Sequence, residues 1–98
     1  MSVTINNVGF SADDKLKDFI ETRLNKLNRY YNRITKSSVY LKLENSGQVK
    51  DKVVEVTLSV PGKLLVSKAE DKSFESAVDE CTTSLERQLK KYKEKQSK

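Results

Sequence analysis

The chain has no histidine, a single cysteine (Cys81), a single proline (Pro61) and three glycines in 98 residues. Without histidine, and with one thiol only, there are no His-activated nucleophile pairs, zinc clusters or disulfide frameworks, so an enzyme would need a cofactor that brings its own chemistry. No apolar run approaches the length of a membrane span, and Met1 to Phe10 has neither the basic nor the apolar region of a signal peptide. A cytoplasmic protein is expected, and a reduced Cys81 fits that compartment. Apolar residues make up 36% of the chain and charged residues 34%, a lean balance. The apolar residues are nonetheless strongly patterned, which argues for one folded domain over residues 1–98 with a thin core.

The pattern is clearest from Glu70 to the end, EDKSFESAVDECTTSLERQLKKYKEKQSK. Phe74, Ala77, Val78, Cys81, Leu85, Leu89 and Tyr92 recur in steps of three and four, one stripe of a long amphipathic helix, with Thr82 and Gln88 at its flanks. Asp71 or Ser73 serves as N-cap, and Glu75, Asp79 and Glu80 follow where the helix dipole favours negative charge. The far end is basic. From Arg87 onward stand Arg87, Lys90, Lys91, Lys93, Lys95 and Lys98 against Glu94 alone, while the preceding 86 residues hold thirteen cations and thirteen acids. The net charge of +5 is therefore local to the last helix. Arg87, Lys90, Lys91 and Lys98 share about a third of the circumference, opposite the apolar stripe.

Upstream, Val3 and Ile5 alternate with polar neighbours as in a short strand, broken by Asn7 to Gly9. Ser11 with Asp14 forms a weak capping box that opens a helix from about Ala12 to Tyr31, with Leu16, Phe19, Ile20, Leu24, Leu27, Tyr30 and Tyr31 on one side. Arg23 falls within that apolar side, so it must snorkel or reach a partner. After a loop from Asn32 to Ser37, a strand is expected over Ser38 to Glu44, with Val39, Leu41 and Leu43 on its dry face. Asn45 to Lys52, with Gly47, reads as a hairpin loop. Val54, Val56, Leu58 and Val60 then mark the next strand, and Pro61-Gly62 a type II turn into Leu64 to Ala69. Two registers of that last strand remain open, Leu64 and Val66 facing the core or Leu65, Ser67 and Ala69. The order β-α-β-β-β-α predicts an α+β two-layer sandwich, a four-stranded sheet with two helices on one face.

A run of lysines at a chain end is, on charge alone, most often a solvated helix face. Here the cations continue a packed helix, coincide with a second basic set on the first helix, and stand on an otherwise neutral chain, so the field is focused. That favours an RNA-binding surface that contacts backbone phosphates and reads no base sequence. A module whose basic helix docks into an acidic groove of a protein partner is the alternative. Tyr30, Tyr31, Tyr40 and Tyr92 are candidates for base stacking; Tyr31 and Tyr92 lie on apolar stripes and are expected in the core, while Tyr40, on the wet strand face, stays open. Cys81 reads as a buried small hydrophobe. Glu75, Asp79, Glu80 and Glu86 spread around the helix as dipole complements and ion-pair partners, not as a metal site.

LNKLNRYYNRITKSSVYLKLE, from Leu24 to Glu44, and SFESAVDECTTSLERQLKKYKEK, from Ser73 to Lys95, resemble the ribosome hibernation-promoting factors and ribosome-associated inhibitors. The resemblance runs from Val3 to about Lys95. Its most specific parts are Ala77-Val78-Asp79, similar to the family's A-I-D, LERQLKKYK from Leu85 to Lys93, and R-L-x-K-L-x-x-Y from Arg23 to Tyr30. It implies a fold like that of double-stranded-RNA-binding domains, with the two helices parallel. It further implies a non-enzymatic, cofactor-free factor that binds ribosomal RNA in the decoding channel of the small ribosomal subunit. There it would block messenger and transfer RNA and inhibit translation in idle, stationary-phase or stressed cells. No membrane and no small-molecule substrate are implied, and off the ribosome the protein is expected to be largely monomeric. Long members carry a second, dimerising domain; a chain stopping at Lys98 is similar to the short form. By the resemblance the RNA-facing residues are Arg23, Lys26, Arg87, Lys90, Lys91 and Lys93. Where many members have an acidic residue, methionine and tyrosine, this chain has Ser73, Phe74 and Glu75, and Phe74 is expected to take over packing.

Overall fold

Period-two alternation yields strands wherever one face meets a core, and four such segments form one sheet. The computed structural model describes residues 1–44 and 51–96. The elements are β1 (Ser2–Val8), α1 (Asp14–Tyr30), β2 (Lys36–Leu43), β3 (Lys52–Val60), β4 (Lys63–Asp71) and α2 (Phe74–Gln96). The sheet order is β1-β2-β3-β4. Because α1 carries the chain back along the sheet, β1 pairs with β2 in parallel, Ile5 opposite Val39. The hairpins make β2–β3 and β3–β4 antiparallel, with Val39 opposite Val56 and Leu58 opposite Leu65.

Both helices cover one face of this sheet, as the α+β two-layer reading requires. Ile20 and Leu24 of α1, Val39, Leu41, Val56 and Leu58 of the sheet, and Val78, Cys81, Leu85 and Leu89 of α2 meet in one core, each at most 1% exposed. Each large aliphatic side chain so buried contributes roughly 1.5–3 kcal/mol relative to exposure. Phe74 does take over packing, stacking on Phe10 with ring centroids 4.5 Å apart. Ser73 caps α2, its Oγ accepting from the Ser76 N–H at 3.1 Å, which decides between the two candidate caps.

Other expectations are corrected. The cap of α1 is Asp13, not Ser11: its backbone is extended and its carboxylate accepts from the Leu16 N–H at 2.9 Å, so the helix starts at Asp14. A carboxylate two residues nearer the first apolar turn satisfies an amide that Ser11 does not engage. The helix ends at Tyr30; Tyr31 is extended, and its N–H still donates to the Leu27 carbonyl at 2.9 Å. Tyr30 itself is 41% exposed and not part of the packed side. The segment before β2 contributes Ile34 to the core, and β2 begins at Lys36, which buries Ser37 on its inner face. In β4 Leu65 is buried, whereas Leu64 is 62% and Val66 47% exposed, so Leu65, Ser67 and Ala69 face the core. Gly62 has φ +76, as the turn at Pro61-Gly62 demands, and an added Cβ there would meet nothing within 4 Å; the backbone, not space, selects glycine. The hairpin loop expected at Asn45 to Lys52 falls largely outside the described residues, as does Lys98.

Candidate nucleic-acid interface

Two parallel helices laid side by side on a sheet leave a seam facing away from it, and the ends of both helices that carry cations lie together. Three contacts fix the parallel alignment. Phe10 stacks on Phe74 at the start, Arg23 Nε donates to Asp79 Oδ1 at 2.7 Å midway, and Tyr31 meets Tyr92 edge-on with centroids 5.6 Å apart near the end. The C-terminal halves are therefore neighbours. Arg29 stands in the last turn of α1, Lys93 and Lys95 in the last turn of α2, where each complements the negative end of its helix dipole.

The six residues expected to face RNA divide into three settings. Lys26, Arg87 and Lys90 are exposed along the seam. Lys91 is exposed on the outer side of α2, where Ser84, Arg87, Gln88, Lys90, Lys91 and Glu94 border a hollow of about 450 Å³. Arg23 and Lys93 are tethered. The Arg23 guanidinium lies 4.5 Å from the centre of the Phe19 ring besides its bond to Asp79, and its side chain is 39% exposed. Lys93 Nζ sits 4.4 Å from the centre of the Tyr30 ring and donates to the Tyr30 carbonyl at 3.4 Å. Of the two courses open to it, Arg23 thus takes the second, reaching a partner on the other helix, with its guanidinium over an aromatic ring. Among the described residues, Lys26, Arg87, Lys90 and Lys91 take part in no ion pair within 4.0 Å. Four cations consequently stand outside any ion pair among the described residues, Lys26, Arg87 and Lys90 along the seam and Lys91 beside them on the outer side of α2, while Arg23 and Lys93 link the helices.

Residues outside that set also line the seam. A cleft of about 450 Å³ opens between the helices, bordered by Arg23, Lys26 and Tyr30 of α1 and by Asp79, Thr83 and Glu86 of α2. A smaller hollow of about 180 Å³ continues it past Tyr30, Thr83 and Glu86 to Arg87 and Lys90. Asp79 is the ion-pair partner expected of it. Glu86 is not: among the described residues no cation lies within 4.0 Å of its carboxylate. The seam-side position of Tyr30 and Glu86 is a property of helix pairing, and the only hint of it in the chain is that Tyr30 extends one edge of the α1 stripe.

Elsewhere the candidates resolve toward structure. Cys81 is fully buried, its Sγ 3.5 Å from the carbonyl oxygens of Val54 and Ser67. Burial pushes its thiol up to about 11, helped by the nearby charges of Glu80 and Glu55 and opposed by the hydrogen bond at Ser67, so it is unreactive at neutral pH. Tyr31 and Tyr92 are buried as expected, and Tyr40 is 39% exposed on the sheet face away from the seam. No helix among the described residues is long and apolar enough to cross a membrane.

The sequence and the fold recur in known proteins. Residues 3–97 match the family model described as Sigma 54 modulation protein / S30EA ribosomal protein. The chain is 36% identical over 96 residues to a ribosome hibernation promoting factor of Azotobacter vinelandii, covering 98% of this chain and 86% of that one. It is 33% identical over 95 residues to the ribosome hibernation promoting factor of Escherichia coli K12, covering 97% and 94%. The solved structure of a ribosomal subunit interface protein from Coxiella burnetii superposes with a TM-score of 0.85 at 24% identity, over 95% of this chain and 98% of the other, which shows the same fold. Sheet order, helix placement and sequence thus agree over nearly the whole chain, which belongs to the Sigma 54 modulation protein / S30EA ribosomal protein family, with ribosome hibernation promoting factors among its relatives.

Proposed function

We propose that this protein is a ribosome hibernation factor that binds ribosomal RNA in the decoding channel of the small subunit and excludes messenger and transfer RNA. The observation that carries the reading is the strip of Lys26, Arg87, Lys90 and Lys91, unpaired among the described residues, on a chain whose first 86 residues are charge-neutral. Such a strip lowers the free energy of association mainly by releasing counterions from phosphates, with no catalytic group required. Two tethered helices present it as a rigid ridge, so little ordering is lost on binding. Inhibition is by occupancy: a site filled by this ridge is closed to other RNA. The protein acts without a cofactor, in the cytoplasm, and is largely monomeric away from the ribosome.

An order-of-addition translation assay tests this. Protein added to vacant ribosomes before messenger and initiator transfer RNA should block translation, and protein added after an elongating complex has formed should do much less. Equal inhibition in both orders, abolished by competitor RNA, would mark a nonspecific polycation. Failure to sediment with ribosomes would leave the partner-docking alternative.

A further inference from the structure

The seam holds one group that a phosphate-binding strip has no use for. Glu86 lies between Lys26, Arg87 and Lys90 along the two joined hollows and, among the described residues, is paired with none of them. A phosphate seated there would be repelled by the carboxylate, whereas a ring edge bearing N–H donors would be held by it. Beside it stands Tyr30, 41% exposed and lining both hollows. The ammonium of Lys93 lies 4.4 Å from the centre of that ring and covers one of its faces, which leaves only the other for a base. The bridges Arg23–Asp79 and Lys93–Tyr30 hold the cleft from both ends, and its volume of about 450 Å³ is in the range of small-ligand pockets.

We propose that this cleft takes a single unstacked guanine of an RNA, stacked on Tyr30 with its Watson–Crick edge on Glu86, while Lys26, Arg87 and Lys90 meet the flanking phosphates. Guanine is the base whose N1–H and N2–H run parallel and match the two oxygens of one carboxylate. Adenine and cytosine set an acceptor nitrogen beside their amino group, and uracil flanks its N3–H with two carbonyls; each turns a lone pair toward Glu86. Unpaired RNA bases are recognised in this way, by an aromatic face and a hydrogen-bonded edge. The inference rests on the RNA-binding function proposed above and adds one base-reading position to a strip otherwise suited to phosphates.

The test is the affinity of the full chain for three RNA hairpins that differ only in one bulged nucleotide, guanosine, inosine or adenosine, alongside sedimentation with ribosomes. Inosine lacks only the N2 amino group, so one charge-assisted hydrogen bond is lost. The wild type should bind the guanosine hairpin about tenfold tighter than the inosine one. In Glu86→Gln that ratio should fall to near one, and Tyr30→Ala should weaken the guanosine hairpin toward the other two. Circular dichroism of both variants, each altered at an exposed position, verifies the fold. A wild type that sediments with ribosomes but binds all three hairpins equally, or binds none, overturns the guanine site and leaves the RNA-binding function standing. So does a wild type that distinguishes free guanosine monophosphate from inosine monophosphate but not the hairpins. A wild type that binds neither ribosomes nor hairpins overturns the function itself.

Discussion

Arg23 and Asp79, fifty-six positions apart, meet with Nε 2.7 Å from Oδ1 and tie the midpoint of α1 to α2. The bond sets the helices in step and draws one of the expected RNA-facing cations partly inward. With side chains 39% and 52% exposed, the pair is solvent-screened. A double-mutant cycle with Arg23→Ala and Asp79→Ala should give a coupling of at most about 1 kcal/mol in thermal melts. Asp79→Asn should tighten ribosome binding by releasing the guanidinium, and weaker binding by that variant would mean that the clamp matters more than the free charge.

Lys90 and Lys91 lie off the apolar stripe and are exposed. Replacing both by Glu should weaken ribosome binding strongly and leave helicity unchanged. If about five phosphates are neutralised by the wild type, the log-log slope of affinity against salt should lie near about −3 to −5, and the double variant should flatten it. A slope of zero would remove the electrostatic mechanism.

Leu85 is fully buried where α2 packs on the sheet. Leu85→Ala should cost about 2–5 kcal/mol, the lost transfer energy plus the cavity left behind. That is a large share of the stability of a domain this size, so a fall of many degrees in melting temperature is expected. An unchanged melt would contradict the packing of α2.

Cys81 provides a pH test. Its folded thiol is raised from 9.0 to about 11 by burial, so the folded state resists losing the proton more than the unfolded state does. Stability from this group is present in full below pH 9.0 and is lost as pH rises from there through about 11. Melting temperature should therefore fall across that window more steeply in the wild type than in Cys81→Ala, and thiol alkylation at pH 8 should track unfolding. Rapid labelling of the native protein would place the thiol at the surface.

Much of the molecule is already determined by local pattern. Steps of three and four specify both helices, period two specifies the strands, and Pro61-Gly62 the turn, because burial on one face imposes those periods whatever the neighbour is. The charge asymmetry is likewise in the chain, since counting needs no fold. What the chain left open is what two elements decide jointly. Leu64 to Ala69 is apolar on both faces, and only pairing with β3 turns Leu65 inward. Ser11 and Asp13 both suit an N-cap, and the geometry of the first turn selects Asp13. Arg23 has its partner on the other helix, and Tyr30 and Glu86 line one cleft along a seam that exists only because α1 and α2 pack in parallel. Periodicity records which side of a helix is buried, not which residue of another helix will stand beside its edge, and the candidate base-reading cleft lies along that edge.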